Sequence, residues 1–348
     1  MKKKIAILFG GCSPEYQVSL QSAYAVITHI NTDLYTPVLI GISRQGSWYF
    51  YDGPAGYIPA DSWNSPDTCT PVLLSFGQSE AAFVKQTGTA LESIHVDAAF
   101  PVLHGQNGED GTVQGALELT GIPVIGCGPL PSALCMDKYR AHQLVKAAGI
   151  AVPESVLLSK NTPTEEISSL AAIIGYPIFV KPVRAGSSFG ISKIHNASEL
   201  PKALKNAFSY DDAAILEETI TGFEVGCAII GKDSLTIGEV DKIELAQEFF
   251  DYEEKYTLKS SQIYVPAPIN PRTADAIKET ARRIYYILGC DGFARVDMFL
   301  TESGKLVFNE VNTIPGFTSH SRFPNMLKAA GMTFEQILDT IIREGMSK

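Results

Sequence analysis

Short apolar runs alternate with amphipathic segments along the chain, and this alternation predicts a mixed α/β structure. Residues 4–9 are an apolar run that predicts a buried strand, residues 10–11 are a glycine turn, and residues 15–30 predict a helix. Residues 96–105 repeat the strand and the Gly-rich loop, and the segment TVQGALELTG then predicts a second helix. This order of strand, glycine turn and helix is typical of an open-sheet α/β domain.

The central part of the chain predicts shorter elements. Residues 50–80 are rich in Pro, Ser, Asp and Gly, which indicates a surface insertion. Residues 131–150 predict one helix, with Ser132 as its N-cap and Gly149 as its C-cap. Residues 176–194 read as a strand, a Gly/Ser loop and a second strand.

The remaining segments predict an α+β unit. Its predicted elements are a strand pair over 213–231, a helix over 273–289, a hairpin over 293–311 that turns at TESG, and a last helix over 334–345. We therefore predict α/β and α+β structure in three parts. These are an N-terminal α/β domain (1–130), a central subdomain with the Gly/Ser loop (131–215) and a C-terminal subdomain (216–348).

Composition and charge exclude several classes of protein. The 348 residues predict two or three domains, and 45% hydrophobic residues are enough to build their cores. A net charge of −10 argues against a non-specific nucleic-acid binder. No run reaches the roughly 18 apolar residues of a membrane span, and the N-terminal apolar run is too short for a signal peptide. The six cysteines lack any CxxC pair, which argues for core thiols of a reducing compartment.

The predicted hairpin carries oxygen-bearing side chains on both strands. Glu310 and Asn312 alternate along the second strand and share a face. A turn at Glu302-Ser303 brings Asp297 of the first strand beside them. Two carboxylates this close repel unless a cation lies between them, and such oxygens suit Mg²⁺. The alternative is a polar hairpin face in water, although the flanking residues are apolar.

Residues 181–190, KPVRAGSSFG, predict an anion-binding flap between two strands. The loop exposes backbone N–H groups and hydroxyls, and Lys181 adds positive charge, but the pattern is not a Walker A loop. The alternative is a flexible hairpin turn, and a helical lysine such as Lys138 is ordinarily solvent-facing. Residues 251–264 are too charged for a core strand and predict either an active-site cover or a disordered surface loop.

Two further Gly-rich segments follow strands of the first domain, HGQNGEDG (104–111) and GGCSPEYQVS (10–19). Ligands bind open α/β sheets at the carboxyl ends of strands, so Glu15 and His104 are predicted to face one crevice. Neither segment is G-x-G-x-x-G, which argues against a dinucleotide-binding fold. The alternatives are a hydrogen-bonded structural role for His104 and a favourable helix-dipole position for Glu15.

Taken in order, these segments resemble the D-alanine–D-alanine ligase family of the ATP-grasp superfamily. The resemblance implies an ATP-grasp fold preceded by an open-sheet α/β domain. It also implies that Mg²⁺-ATP phosphorylates the carboxylate of D-alanine and that a second D-configured unit attacks the acyl phosphate. The segments that carry it are GGCSPEYQVSLQSA, HGQNGEDGTVQG, MDKYRAH, KPVRAGSSFGISK, EETITGFEVGCAIIG, DYEEKY, ARVDMF and FNEVNTIPGFTSHSR.

The resemblance implies a set of nucleotide and metal ligands. The residues that match the family's two-magnesium ligands are Asp297, Glu310 and Asn312. The residues that match its ATP site are Lys138 and Lys181 at the phosphates, Glu217 at the adenine, Glu224 at the ribose hydroxyls and Lys255 beside the phosphates. Mn²⁺ is an alternative to Mg²⁺, and K⁺ activation is a family expectation.

The resemblance also implies how the substrates are held. Glu15 matches the group that binds the ammonium of the first substrate, in the crevice that His104 faces. The residues that match the remaining positions are Ser187 and Tyr256, which link Glu15 to the lid, Arg295 and the Gly316 backbone at the oxyanion, and Ser321 at the second carboxylate. Family habit favours a cytoplasmic homodimer.

Arg322 is the informative departure from the housekeeping ligases, which carry an aliphatic residue after the serine. An arginine here resembles the glycopeptide-resistance ligases. The intact Lys255-Tyr256 pair favours an amine nucleophile over D-lactate, so the pattern is most similar to D-alanine–D-serine ligases of the VanG type. Phe250 is predicted to pack beside the hydroxymethyl group, and Arg322 to donate to its oxygen. The alternatives are a structural ion pair for Arg322 in an ordinary D-alanine–D-alanine ligase, or a catalytically silent nucleotide-binding protein.

Overall fold

The computed structural model describes residues 1–76, 83–244 and 262–347, and the described chain forms three β-sheets flanked by helices. The first sheet has the order β6-β5-β4-β3-β2-β1-β7. Its strands are β1 (Lys3–Gly10), β2 (Tyr35–Ile42), β3 (Trp48–Tyr51), β4 (Cys69–Leu74), β5 (Phe83–Thr87), β6 (Ala90–Ile94) and β7 (Ala98–Pro101). The apolar strand β1 runs parallel to β2 and β7 and is therefore buried on both faces.

Two helices follow the parallel strands of this sheet. They are α1 (Tyr16–His29), which begins after the Gly10-Gly11 turn, and α2 (Thr112–Glu118). The predicted strand–glycine–helix order is confirmed, but the surface insertion over 50–80 is wrong. Strands β3 and β4 extend the sheet through part of this segment, and Trp63 is fully buried between them against Phe9. The polar composition reflects the turns that connect these strands.

The second sheet is antiparallel and has the order β10-β9-β11-β8. Its strands are β8 (Ser155–Ser159), β9 (Ile178–Pro182), β10 (Ser192–Ile194) and β11 (Ala213–Glu218). The helices α3 (Pro129–Met136) and α4 (Lys138–Ala147) precede it in the chain, and α5 (Thr164–Ile174) and α6 (Leu200–Ala207) pack against it. The predicted strand–loop–strand unit over 176–194 is confirmed.

The predicted single helix over 131–150 is wrong, because the chain breaks at Asp137. This residue has an extended backbone, with φ −85° and ψ 93°, and its side chain accepts a hydrogen bond from the Arg140 N–H at 2.9 Å. Asp137 is thus the N-cap of α4, and Ser132 lies inside α3 and does not cap it. Gly149 follows the end of α4 with φ +80°.

The third sheet has the order β15-β14-β12-β16-β17, with β13 paired to β12. Its strands are β12 (Gly222–Gly231), β13 (Leu235–Ile237), β14 (Asp241–Glu244), β15 (Gln262–Tyr264), β16 (Phe293–Thr301) and β17 (Leu306–Asn312). The helices of this part are α7 (Pro271–Ile287), α8 (Arg322–Ala329) and α9 (Phe334–Met346). The hairpin over 293–311 and both predicted helices are confirmed.

The predicted strand pair over 213–231 is wrong. Strands β11 and β12 are consecutive in the chain but belong to different sheets, so the chain crosses from the second sheet to the third between Glu218 and Gly222. A cleft lies between those two sheets. The core that unites the first sheet with the C-terminal part contains Phe100, Phe293 and Phe317, whose rings pack edge to face. The division at 130 and 215 stays a prediction.

Candidate active site

The β16–β17 hairpin brings the predicted metal ligands together. Asp297 is the cross-strand partner of Glu310, and Arg295 is the partner of Asn312. The Asn312 amide donates to Asp297 Oδ2 at 3.0 Å, and the Arg295 guanidinium donates to both Asp297 oxygens at 2.7–3.0 Å. A register shift after Asp297 is consistent with a β-bulge. The two carboxylates and the amide therefore converge, as the sequence predicted.

These oxygen atoms suit a hard cation, although the set of ligands is small. No cluster of three His, Cys, Asp or Glu side chains that could hold a metal occurs within residues 1–76, 83–244 and 262–347. The set here has two carboxylates and an amide, and Mg²⁺ commonly takes few protein oxygens. Lys138 Nζ lies 3.7 Å from Glu310 Oε2 and donates to the Ala185 carbonyl at 2.7 Å. Positive charge therefore already faces the Glu310 carboxylate.

A cavity of about 440 Å³ fills the cleft between the second and third sheets. Its volume suits a nucleotide-sized ligand. The predicted ATP residues that line it are Lys138, Lys181, Glu217 and Glu224, together with Glu310 of the metal set. Phe179 adds an apolar surface to this wall. The arrangement combines two lysines for phosphates with carboxylates for polar groups of a nucleotide.

Behind this cavity lies a buried polar cluster that sequence reasoning did not identify in full. Lys181 Nζ donates to Glu217 Oε1 at 2.5 Å. The other oxygen, Oε2, lies 3.9 Å from His142 Nδ1. His142 Nε2 lies 2.7 Å from the Asn309 carbonyl, next to Glu310, and burial lowers the pKa of His142. His142 thus joins the base of the cavity to β17. The MDKYRAH motif contained it, but no local pattern distinguishes it from an ordinary helix residue.

A smaller cavity of about 100 Å³ holds most of the predicted substrate residues. The predicted residues that line this cavity are Glu15, His104, Ser187, Arg295, Asn312, Gly316, Ser321 and Arg322. Glu310 lines the large cavity and Asn312 the small one, two positions apart on one strand. The two cavities are therefore adjacent along β17, so a group on a ligand in one cavity could reach a ligand in the other.

Glu15 lies immediately before α1, where the Gly/Ser flap reaches it. The Ser187 hydroxyl donates to Glu15 Oε1. A Cβ atom on Gly105 or Gly186 would lie 2.3 or 2.5 Å from Glu15 Oε2, so a larger residue at either position would displace that carboxylate. Gly105 also has a φ of +72°, which favours glycine. Ser187 and Ser188 adopt left-handed backbone conformations, with φ 47° and 60°. The central flap is thus closed onto the first domain, and Glu15 is at the contact.

Glu109 is a half-buried carboxylate in this site that sequence reasoning missed. Its Oε2 accepts from Gly105 N–H at 2.9 Å and its Oε1 accepts from Ile314 N–H at 3.2 Å. Burial, and then the charge of Glu15, raise the pKa of Glu109 to about 8. Burial lowers the pKa of the neighbouring His104 to about 4. The HGQNGEDG motif contains Glu109. The second N–H group that donates to Glu109 belongs to Ile314, 205 positions away, so the local sequence gives no sign of this contact.

Arg322 is buried at the wall of the small cavity and is surrounded by carboxylates. Its Nε and one terminal nitrogen donate to Asp241 at 2.6 and 2.8 Å, and the other terminal nitrogen donates to Glu224 at 2.6 Å. Asp297 Oδ1 lies 3.3 Å from the guanidinium. The neighbouring Ser321 hydroxyl binds the Thr318 backbone N–H at 3.0 Å. Arg322 therefore lines the predicted substrate cavity and makes the ion pairs that were the alternative interpretation. Its role as a donor to the substrate stays a prediction. The predictions for Phe250, Lys255 and Tyr256 lie outside the described residues.

Comparison with known proteins identifies the family. Residues 4–127 match the family described as D-ala D-ala ligase N-terminus, and residues 144–343 match D-ala D-ala ligase C-terminus. The chain belongs to the D-alanine–D-alanine ligase family. It is accordingly an ATP-dependent enzyme that forms a carbon–nitrogen bond, and the predicted ATP-grasp fold with an N-terminal α/β domain is confirmed.

Individual relatives of this ligase differ in their named activities. The crystal structure of VanG D-Ala:D-Ser ligase from Enterococcus faecalis is 54% identical, with a TM-score of 0.91 over 99% of each chain. The vancomycin B-type resistance protein VanB of Enterococcus faecalis is 44% identical over 98% of each chain. A D-alanine–D-alanine ligase of Caldicellulosiruptor bescii is 39% identical over 100% of this chain and 96% of its own. No helix among the described residues is long and apolar enough to cross a membrane.

Proposed function

We propose that this ligase joins D-alanine to D-serine at the expense of ATP, through a D-alanyl phosphate. The observation that carries the proposal is the 54% identity to the VanG D-Ala:D-Ser ligase over almost the whole of both chains. The position of Arg322 at the wall of the small cavity supports it. The product would supply a modified terminus for a peptidoglycan precursor, as in glycopeptide resistance.

ATP binds in the large cavity in this proposal, with its phosphates directed toward Lys138 and Lys181. The residues that would hold Mg²⁺ are Asp297, Glu310 and Asn312, and the metal would neutralise charge at the phosphates. The D-alanine carboxylate attacks the γ-phosphorus, and ADP leaves. The step turns a poor electrophile into an acyl phosphate, which must be kept from water. The flap contact between Ser187 and Glu15 supports that exclusion.

The second step takes place in the small cavity. Glu15 holds the ammonium of the first D-alanine, and Ser321 receives the carboxylate of the second substrate. The amine of that substrate loses a proton and attacks the acyl carbon, and the phosphate leaves with its bonding electrons. Arg295 and the Gly316 N–H stabilise the oxyanion that forms on the acyl oxygen, as oriented donors in a buried site do.

Selection of D-serine over D-alanine depends on a buried donor. A hydroxyl changes little in an apolar pocket, but an unpaired buried donor costs about 1–3 kcal/mol. Arg322 is the candidate donor, and Asp241 and Glu224 hold its guanidinium in place. The same contacts also support a second candidate function, an ordinary D-alanine–D-alanine ligase. Most N–H groups of Arg322 already donate to Asp241 and Glu224, which leaves few of them for a substrate hydroxyl.

A competition assay separates the two functions. The enzyme is incubated with ATP, Mg²⁺ and equal concentrations of D-alanine and D-serine near neutral pH, and the dipeptides are resolved by mass spectrometry. D-alanyl-D-serine as the main product supports the proposal, whereas a product that is mostly D-alanyl-D-alanine establishes the second function. Absence of ATP-dependent phosphate release with D-alanine would contradict both.

We also propose the assembly and conditions in which the ligase works. Family habit favours a homodimer in the cytoplasm, Mg²⁺ or Mn²⁺ as the metal, and activation by K⁺. The proposed domains are 1–130, 131–215 and 216–348. Sedimentation velocity tests the dimer directly, and a monomer at micromolar concentration would contradict it.

A further inference from the structure

The segment that follows β17 is anchored by polar side chains from two other parts of the chain, the buried Ser22 and the half-buried Glu109. This segment, residues 314–317, contains Gly316, which lines the small cavity. Ile314 and Phe317 at its two ends are buried, so their backbone groups must find partners within the protein. Those partners determine how the Gly316 backbone is presented to a ligand.

The first anchor is Glu109, which bridges two loops. One carboxylate oxygen accepts from Ile314 N–H at 3.2 Å, and the other accepts from Gly105 N–H at 2.9 Å. Gly105 belongs to the loop after β7, so the side chain joins the first domain to the segment after β17. Because each oxygen has its own backbone donor, the carboxylate is fixed in orientation as well as position.

The second anchor is Ser22 on α1. The Phe317 N–H donates to Ser22 Oγ at 3.3 Å, and Ser22 Oγ lies 3.1 Å from His104 Nε2. His104 is itself buried, and burial lowers its pKa to about 4. Phe317 is further held by ring contacts with Phe100 and Phe293. The segment is therefore held at its first and last residues, and Gly316 lies between them.

We infer that Ser22 and Glu109 are positioning residues for the ligation step, which fix residues 314–317 so that the Gly316 N–H is oriented toward the oxyanion. The inference rests on the proposed function, in which Gly316 stabilises that oxyanion. Neither residue acts on the substrate itself in this role. Stabilisation by an oriented donor is lost when the donor is displaced, so the two side chains affect the rate of amide formation through the backbone.

Loss of an anchor should affect the two chemical steps differently. The tetrahedral oxyanion forms only when the amine attacks the acyl phosphate, whereas phosphoryl transfer from ATP to D-alanine forms no such centre at the acyl carbon. Loss of an anchor is therefore expected to slow dipeptide formation while acyl phosphate formation continues. A residue with a merely structural role would slow both steps together.

The test uses Ser22→Ala and Glu109→Gln in the full-length enzyme. Acyl phosphate formation is followed by positional exchange of ¹⁸O in γ-labelled ATP with D-alanine as the only amino acid. Ligation is followed as dipeptide formation with D-serine or D-alanine. Because removal of an oxyanion donor costs 10²–10³ in kcat and displacement costs less, we expect dipeptide kcat to fall about tenfold. Exchange and the KM for ATP are expected to stay within about twofold.

Ser19→Ala is the matched control. Ser19 lies on the same helix and is equally buried. Its hydroxyl donates to the Val102 carbonyl and accepts from the Gly10 N–H, and it has no hydrogen bond to residues 314–317. This variant is expected to keep the parent ratio of ligation to exchange. Should Ser22→Ala not fold, Ser22→Cys and Glu109→Gln provide the same comparison.

The outcomes distinguish the inference from the function on which it rests. Selective loss of ligation in both anchor variants supports the inference. Parallel losses of exchange and ligation, or unchanged ligation, in an active enzyme overturn the inference alone. A parent enzyme that forms neither dipeptide overturns the proposed function, and the inference falls with it.

Discussion

Replacement of Arg322 by leucine removes the cation from a buried group of carboxylates. Asp241 is 0% exposed and Arg322 is 7% exposed. Three hydrogen bonds of 2.6–2.8 Å join the guanidinium to Asp241 and Glu224. Asp297 keeps its bonds to Arg295, so Asp241 is the group that loses most in Arg322→Leu.

The size of the effect follows from this burial. Removal of one partner from a buried ion pair costs about 3–5 kcal/mol, because the remaining charge is uncompensated. A native domain has only about 5–15 kcal/mol of stability in total. At roughly 2 °C per kcal/mol for a chain of this size, the midpoint of thermal unfolding should fall by about 6–10 °C. The loss comes from the uncompensated charge of Asp241, because leucine places no cation beside it.

Thermal unfolding of three variants checks the reasoning. Arg343→Leu is the control, because Arg343 pairs with Asp339 on the exposed face of α9 and its loss should leave the midpoint unchanged. Asp241→Asn combined with Arg322→Leu should recover much of the stability, since no uncompensated charge then remains at position 241. A midpoint for Arg322→Leu that matches the Arg343→Leu value would refute the argument. The double variant is also the appropriate protein in which to measure the product ratio.

Three other predictions follow from the site. The folded-state pKa of His104 is lowered to about 4 from 6.5, so the stability that its neutral form provides is complete above pH 6.5 and is lost as pH falls through 4. The thermal midpoint of His104→Gln should therefore decline less than that of the parent as pH falls over this range. Parallel declines in the two proteins would contradict this prediction. Gly186→Ala places a Cβ atom 2.5 Å from Glu15 Oε2, so kcat/KM for dipeptide formation should fall about tenfold, whereas Gly56→Ala, which has open space around it, should match the parent. Glu310→Gln removes a charged metal ligand and should raise the Mg²⁺ concentration for half-maximal activity about tenfold or more, and an unchanged Mg²⁺ dependence would exclude Glu310 from the metal site.

Local patterns predicted the parts of the site that depend on short-range geometry. A hairpin that turns at TESG places Asp297 opposite Glu310, and the structure has that register. The glycine turn before α1 likewise places Glu15 at the start of the helix. Both relations follow from the period of a strand or the position of a turn, so neither requires knowledge of the tertiary packing.

The parts that the sequence did not predict depend on distant partners. Asp241 and Glu224 lie 81 and 98 positions from Arg322, and Ile314 lies 205 positions from Glu109. No periodicity relates such residues. The break at Asp137 was also missed, because a single capping side chain interrupts a pattern that is otherwise continuous for a helix. The roles of Lys255, Tyr256 and Phe250 stay predictions.

In the proposed function, the ion group around Arg322 would link substrate choice to the ATP site. The residue follows Ser321 at the wall of the small cavity, yet its guanidinium lies 3.3 Å from Asp297 of the predicted metal set and binds Glu224 of the predicted ATP set. An aliphatic residue at this position would leave Asp241 without its cation, so a ligase with leucine here needs a different residue, or a protonated one, at position 241. Under the proposed function, a change of specificity through Arg322→Leu would therefore need one compensating change as well. That compensating change would lie at Asp241 in β14, 81 positions from Arg322 in the sequence.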